Sequence, residues 1–199
     1  MRTAVIVALV LATAARANAA PLQKLTRDEV IRAGNAAAAS LPPVDKTASA
    51  ACKSKFDAAM THPDIDAPTL AAAAACYRAA GALGAAITLW GQVLQRFPNT
   101  REAAGALHEL GPAYELAGLY DNAADKDMDY ANKYGGEPDA LPRITRAICL
   151  WQQLGREDQL RRAYYSLKRW KKAPHDPATI CDGIVPIVVP PPDAQAPAR

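Results

Sequence analysis

Glycine recurs at a fixed interval through the middle of this chain, and the interval limits what the chain can fold into. Gly118 lies 37 residues after Gly81, and Gly155 lies 37 after Gly118. Other residues travel in the same register. Tyr77, Tyr114 and Trp151 each stand four positions before a glycine. Ala86, Ala123 and Leu160 follow by five, Trp90, Asp127 and Tyr164 by nine, and Val93, Tyr130 and Leu167 by twelve. A repeat of this length is the signature of a solenoid. Each unit reads as a helix, a tight turn at the glycine, and a return helix. Glycine suits a left-handed helix end, where a side chain is strained. The small residue that follows lets the two helices approach, and the aromatics fill the space between them. One hairpin cannot bury its apolar face alone, so neighbours must stack.

The rest of the chain supports an all-α class. Half of its residues are hydrophobic but only 6% are aromatic, and the alanine that makes up the difference favours helix. Thr26 and Glu29 form a capping-box pattern that opens a helix running to about Ser40. Leu41-Pro42-Pro43 ends it. A second helix fits about Thr47 to Thr61. Pro68 suits the first position of a third, and a fourth reaches Phe97-Pro98. Asn99 and Glu102 read as a second capping box, Gly135-Gly136 closes the sixth helix, and two more follow. No period-two pattern precedes the tail. After Lys172 the sequence turns proline-rich, and its last part is expected to be disordered or polyproline-like.

The N-terminus reads as a secretory signal. Met1-Arg2 precedes an apolar run from Ala4 to Ala15, and Ala17-Asn18-Ala19 matches a cleavage pattern with the cut before Ala20. An uncleaved anchor is the alternative, for which the run is short. Removing this leader takes away Arg2 and Arg16 and no acid, so the net charge falls from +3 to +1. Bulk charge therefore gives no reason to expect nucleic-acid binding. Four cysteines in an exported chain point to disulfides. Three pairings are possible, and joining neighbours gives the expected Cys52–Cys76 and Cys149–Cys181. Their spacing fits no zinc pattern. No other segment is long and apolar enough to cross a membrane.

The repeat residues resemble those of tetratricopeptide repeat proteins. The middle unit carries Leu107, Leu110, Gly111 and Tyr114, then Gly118, Tyr120 and Ala123, in that family's order. The first matches through Tyr77, Ala86, Trp90 and Pro98, and the third through Ile144, Trp151, Gly155, Leu160 and Tyr164. The resemblance implies an α-solenoid of stacked hairpins over residues 68–172. It is preceded by a signal peptide at 1–19 and an N-terminal helical hairpin at 20–67, and followed by a proline-rich tail at 173–199. The match has departures. The family's period is about 34, Asp127 stands where an aromatic belongs, and Pro112 sits inside a helix, where it removes a backbone bond. The Phe97–Thr100 linker is similar to repeats of bacterial envelope scaffolds, among them outer-membrane-assembly and cell-division-coordination proteins.

In that family the first helix of each hairpin lines a concave groove for peptides or partner helices. The resemblance carries this role to Arg78, His108, Glu115, Thr145 and Gln152, and it sets Cys149 on the same face. A Cys149–Cys181 bond would then bring Ile184–Pro190 near the groove, to occupy it or to cap the stack. The last helix, with Arg161, Arg162, Lys168, Arg169, Lys171 and Lys172, is either a solvated basic end or a second binding surface. Asp121, Asp125, Asp127 and Asp129 lack the pattern of a calcium loop and read as a solvated face. No cofactor, metal site or catalytic residue is expected, since none of His62, His108 and His175 belongs to a catalytic or metal motif. The expected function is a non-enzymatic scaffold for a protein or peptide partner in the periplasm or outside the cell. The alternatives are an accessory subunit that binds through the basic helix, and an enzyme using His108 or Glu115.

Overall fold

In the computed structural model, which describes residues 22–62, 64–170 and 179–192, Thr26 opens the first helix by the expected reciprocal bonds. Its hydroxyl accepts from the Glu29 N–H at 3.3 Å, and its own N–H donates to the Glu29 carboxylate at 2.7 Å. That helix is α1, Arg27–Ser40. It is followed by α2 (Lys46–Met60), α3 (Ala67–Ala79), α4 (Leu83–Arg96), α5 (Arg101–Leu116), α6 (Tyr120–Lys133), α7 (Ala140–Leu154) and α8 (Glu157–Leu167). No strand occurs among the described residues. The signal segment at 1–19 lies outside them, as do 171–178 and 193–199.

Two helix starts differ from expectation by one residue. Asp66 caps α3 by accepting from the Thr69 N–H at 2.9 Å, so Pro68 is the second helical residue. Thr100, not Asn99, caps α5, accepting from the Ala103 N–H at 3.2 Å. The third helical position is then Ala103, and Glu102 stands one place too early to complete a capping box.

The repeat is built as its spacing requires. Gly81, Gly118 and Gly155 have φ of 74°, 72° and 66°, and no other residue type has positive φ among the described residues. Each helix from α2 to α8 packs on the next, which gives an all-helical solenoid. The register positions are its interior: Ala86, Ala123 and Val93 are fully buried, and Trp90, Trp151, Tyr130 and Leu167 nearly so. Leu70, Leu110, Ile144 and Ile148 are also fully enclosed. Burial of this kind contributes about 1.5–3 kcal/mol for each large apolar side chain. Tyr114 packs against the core of both the first and the last units and so joins them.

The N-terminal hairpin expected at 20–67 does not form as a stacked pair. α2 packs on α3, whereas α1 has no comparable packing on α2. Instead, residues 24–45 cross the three glycine turns in reverse order. Lys24 lies over Gly155, Gly34 against Gly118, and Pro43-Val44 against Gly81. Backbone bonds fasten both ends, from the Leu25 N–H to the Gln153 carbonyl at 2.7 Å and from the Asp45 N–H to the Ala80 carbonyl at 2.9 Å. A Cβ on Gly118 would stand 2.4 Å from the Gly34 carbonyl oxygen, so this crossing depends on bare backbone at both residues.

The disulfides are Cys52–Cys76 and Cys149–Cys181, with Cα separations of 5.8 Å and 5.6 Å. The first ties α2 to α3. The second brings the described part of the tail, 179–192, onto α7, where Ile180 and Ile187 join the core.

Candidate functional site

Pro112 organises the inner face of the stack. A proline has no N–H, so the carbonyl of the residue four earlier, His108, loses its helical donor. Arg143 on α7 replaces it, donating from one guanidinium nitrogen to the His108 carbonyl at 2.9 Å. Its other terminal nitrogen donates to the Asp127 carboxylate at 2.8 Å, and its guanidinium lies over the Tyr130 ring at 5.7 Å. One side chain thus ties α5, α6 and α7 together.

Asp127 corrects the sequence reading. It does not belong to a solvated face; it is 2% exposed. Gly111 opposite it makes the space, because a Cβ there would lie 2.1 Å from the Asp127 oxygen. Burial pushes the Asp127 carboxyl up to about 6, against the opposing pull of Arg143. The other acids do stay outside. Asp121 pairs with Arg156 at 2.5 Å and Asp129 with Lys126 at 2.7 Å, while Asp125 is exposed.

The five groove candidates sit on the first helices of the hairpins but not around one point. Arg78 pairs with Glu109 on the next unit and lies over Trp90. His108 has its Nε2 2.7 Å from the Asp139 carboxylate and its ring edge-on to Tyr130. Glu115 accepts from Arg146 through both carboxylate oxygens. The Thr145 hydroxyl turns back to the Leu141 carbonyl at 2.9 Å. Gln152 lies with its amide oxygen 3.4 Å from the Cys181 sulfur, a contact rather than a hydrogen bond because that sulfur is in a disulfide. Three of the five therefore hold partners across neighbouring units, Arg78 and Glu115 in ion pairs and His108 in a hydrogen bond. His108 and Glu115 open onto different recesses, so the structure does not bring them together.

The larger inner recess is a cavity of about 820 Å³. Glu115, Asp127, Arg143 and Arg146 supply its polar lining. Pro112, Leu116 and Tyr120 line it from the α5–α6 hairpin, alanines 33, 36 and 37 from α1, and residues 185–188 from the tail. Cys149, expected on the groove face, is fully buried there, under the tail.

The tail is held by side chains that sequence reasoning did not single out. Gln153 is 2% exposed, and its amide oxygen accepts from the Ile187 N–H at 2.9 Å. Its amide nitrogen turns back to the Cys149 carbonyl at 3.3 Å. Arg146 donates to the Val185 carbonyl at 2.5 Å while holding Glu115. The helical Pro112 could have signalled Arg143, because it guarantees an unfilled carbonyl. Nothing local marks Gln153.

A second recess, of about 840 Å³, opens between α6 and α8. Met128, Trp151 and Tyr164 line it with Arg161, Arg162 and Lys168 of the basic run. Among the described residues, the buried Trp151 indole N–H has no hydrogen-bond partner. Lys171 and Lys172 lie outside the described residues. Among the described residues, no cluster of His, Cys, Asp and Glu is arranged to hold a metal ion. No helix among the described residues is long and apolar enough to cross a membrane. The two disulfides fit an oxidising compartment. A scan against family models gives no match to this chain, and neither do searches of curated proteins and of solved structures.

Proposed function

We propose that the protein is a tetratricopeptide-like scaffold, exported through its N-terminal signal, that presents its concave face to a protein or peptide partner without catalysing a reaction. The observation that carries this reading is the inner recess. It combines apolar walls from α1, α5 and the tail with a few polar groups, Glu115, Arg143 and Arg146, whose positions are fixed by bonds to other units. Concavity, apolar walls and a few oriented polar groups are what a binding site requires. The periplasm of a bacterium is the simplest compartment that combines export with two disulfides.

Crosslinking of the mature protein in its native envelope, followed by mass spectrometry, tests the reading. A recurrent protein linked through the recess residues Glu115, Arg143 or Arg146, or through Arg78, His108 or Gln152 on the same first helices, is the expected result. Absence of any protein partner would overturn it and return a small-molecule or enzymatic role to consideration.

A second reading is an accessory subunit that binds through the α6–α8 side. The exposed Tyr165 and the unpartnered Trp151 N–H beside three basic residues favour it. In that case the links arise from Arg161 to Lys172 alone, and changing these residues abolishes association while groove changes do not.

A further inference from the structure

The tail rests on the groove by contacts of the kind a bound peptide makes. Pro186 and Pro190 to Pro192 fix their own φ and hold the residue before each proline extended. Val185 and Val189 are therefore extended as well. Two side chains read the main chain of this segment. Arg146 donates to the Val185 carbonyl, and Gln153 accepts from the Ile187 N–H. Neither bond depends on the tail's side chains. The side-chain reading is limited to Ile187, which is buried, with Ile184 and Val189 partly covered against the same core. Val185 and Val188 are 69% and 72% exposed. An intrinsic part of the core would bury its apolar residues more fully.

From this we infer that the α7 surface formed by Arg146, Gln153 and the Ile187 socket is a receptor for an extended, proline-spaced apolar segment, and that residues 184–190 occupy it as a tethered, displaceable stand-in for a partner's segment of the same chemistry. The tether is the Cys149–Cys181 bond, which anchors the tail only a few residues before the occupied surface. A short tether keeps the local concentration of the occupant in the millimolar range. A free peptide therefore meets a site that is mostly filled, and its apparent affinity falls by the vacant fraction. Main-chain recognition of a proline-ordered segment is an established way of binding peptides, because little conformational freedom remains to be lost. The inference rests on the scaffold reading and adds to it the partner's chemistry and the self-occupancy.

The test uses a chain ending at Asp182, which keeps both disulfides, and a fluorescent peptide of the sequence GIVPIVVPPP, residues 183–192. Fluorescence anisotropy is expected to show saturable binding to the shortened chain and at least about tenfold weaker binding to the full chain. Gln153→Ala in the shortened chain should weaken binding about tenfold, the loss of one buried hydrogen bond. A peptide with aspartate in place of Ile187 should not bind. A folded shortened chain, judged by circular dichroism, that ignores the peptide overturns the inference. If the shortened chain does not fold, native-state hydrogen exchange on the full chain decides. Exchange of the Ile187 amide through a local opening, well before global unfolding, supports displacement. Exchange only on global unfolding overturns it and makes the tail a structural cap. A partner that crosslinks to Arg78 or His108 while the peptide fails to bind would leave the scaffold reading standing and remove this inference alone.

Discussion

Replacing each turn glycine with alanine separates two costs that coincide at only one of them. All three have positive φ between 66° and 74°, so each alanine pays about 1–2 kcal/mol for the left-handed conformation. The surroundings differ. At position 81 the new methyl would meet Pro43 and Val44 atoms at 3.6 and 3.7 Å, ordinary contact distances. At 155 it would meet the end of the Lys24 side chain, which can swing away. At 118 it would stand 2.4 and 2.5 Å from the carbonyl oxygen and Cα of Gly34. Those are backbone atoms of a helix and cannot move alone. Overpacking of this sort costs about 1–3 kcal/mol more. Gly118→Ala is thus expected to lose about 2–5 kcal/mol, against about 1–2 for Gly81→Ala and Gly155→Ala. The assay is urea denaturation followed by circular dichroism, with hydrogen exchange reporting whether α1 detaches. Gly34→Ala gives an independent check. Helix propensity alone favours alanine there by about 1 kcal/mol, but its methyl would lie 2.9 Å from the Gly118 oxygen, so no stabilisation is expected. Equal losses at all three turns, or a stabilised Gly34→Ala, would refute the claim that α1 is seated by this backbone contact.

Four further outcomes follow from the Asp127–Arg143 bridge and the first disulfide. The Asp127 carboxyl is raised to about 6 from 3.8, so folding takes up a proton between about pH 4 and 6; this contribution to stability is present below pH 4 and is lost as pH rises through 6. Wild type should therefore lose about 3 kcal/mol relative to Asp127→Asn between pH 4 and 7 in paired urea titrations; a constant difference would show that the carboxyl stays ionised. Arg143→Ala should cost about 3–5 kcal/mol by leaving a buried carboxyl and a carbonyl unpaired. Pro112→Ala returns a donor to the His108 carbonyl, so a double-mutant cycle should show a coupling of about 1–3 kcal/mol between the two sites, and strict additivity would count against the bridging role. Replacing Cys52 and Cys76 by serine should cost about 3–4 kcal/mol for a loop of 24 residues, with exchange protection lost first in α2 and α3 and retained in α7.

The parts of this fold that were legible in the sequence are those set by local chemistry. Thr26 and Glu29 satisfy one another across three residues, and Gly81, Gly118 and Gly155 each end a helix where a side chain would be strained. The period then follows from the glycines, and the neighbouring-cysteine pairing from chain proximity. What was not legible depends on who stands opposite. Asp127 looks like its acidic neighbours until Gly111 is seen to leave a hole for it. Gly34 looks like a weak point in a helix until it meets Gly118, more than eighty residues away. Gln153 is one of two adjacent glutamines, and only the fold shows that Gln152 faces the disulfide while Gln153 is enclosed. The groove positions carried by resemblance do lie on the first helices, yet Arg78, His108 and Glu115 hold partners in neighbouring units, so the charges of Arg78 and Glu115 are already engaged.

Those engaged charges bear on where the stack can yield. A solenoid of about three hairpins leaves its turn edge and the inner face of its last unit uncovered, and this chain covers each with its own flank. Residues 24–45 cover the edge, and 179–192 cover the face. The two covers are fastened differently. The first is held by backbone bonds at both ends and by a Gly34–Gly118 contact that admits no methyl group. The second is held by the Cys149–Cys181 bond with Ile180 buried beside it, and beyond that point by only two side-chain bonds to its main chain and the buried Ile187. Arg146 is shared between the tail and Glu115, so its pair with Glu115 survives when the tail leaves, and only the bond to Val185 must be replaced. Gln153, fully enclosed while the tail is present, would be left with an unpaired amide oxygen facing the recess. Opening the tail therefore exposes one oriented acceptor, one oriented donor and an apolar socket, and the disulfide at Cys181 keeps the displaced segment close enough to return.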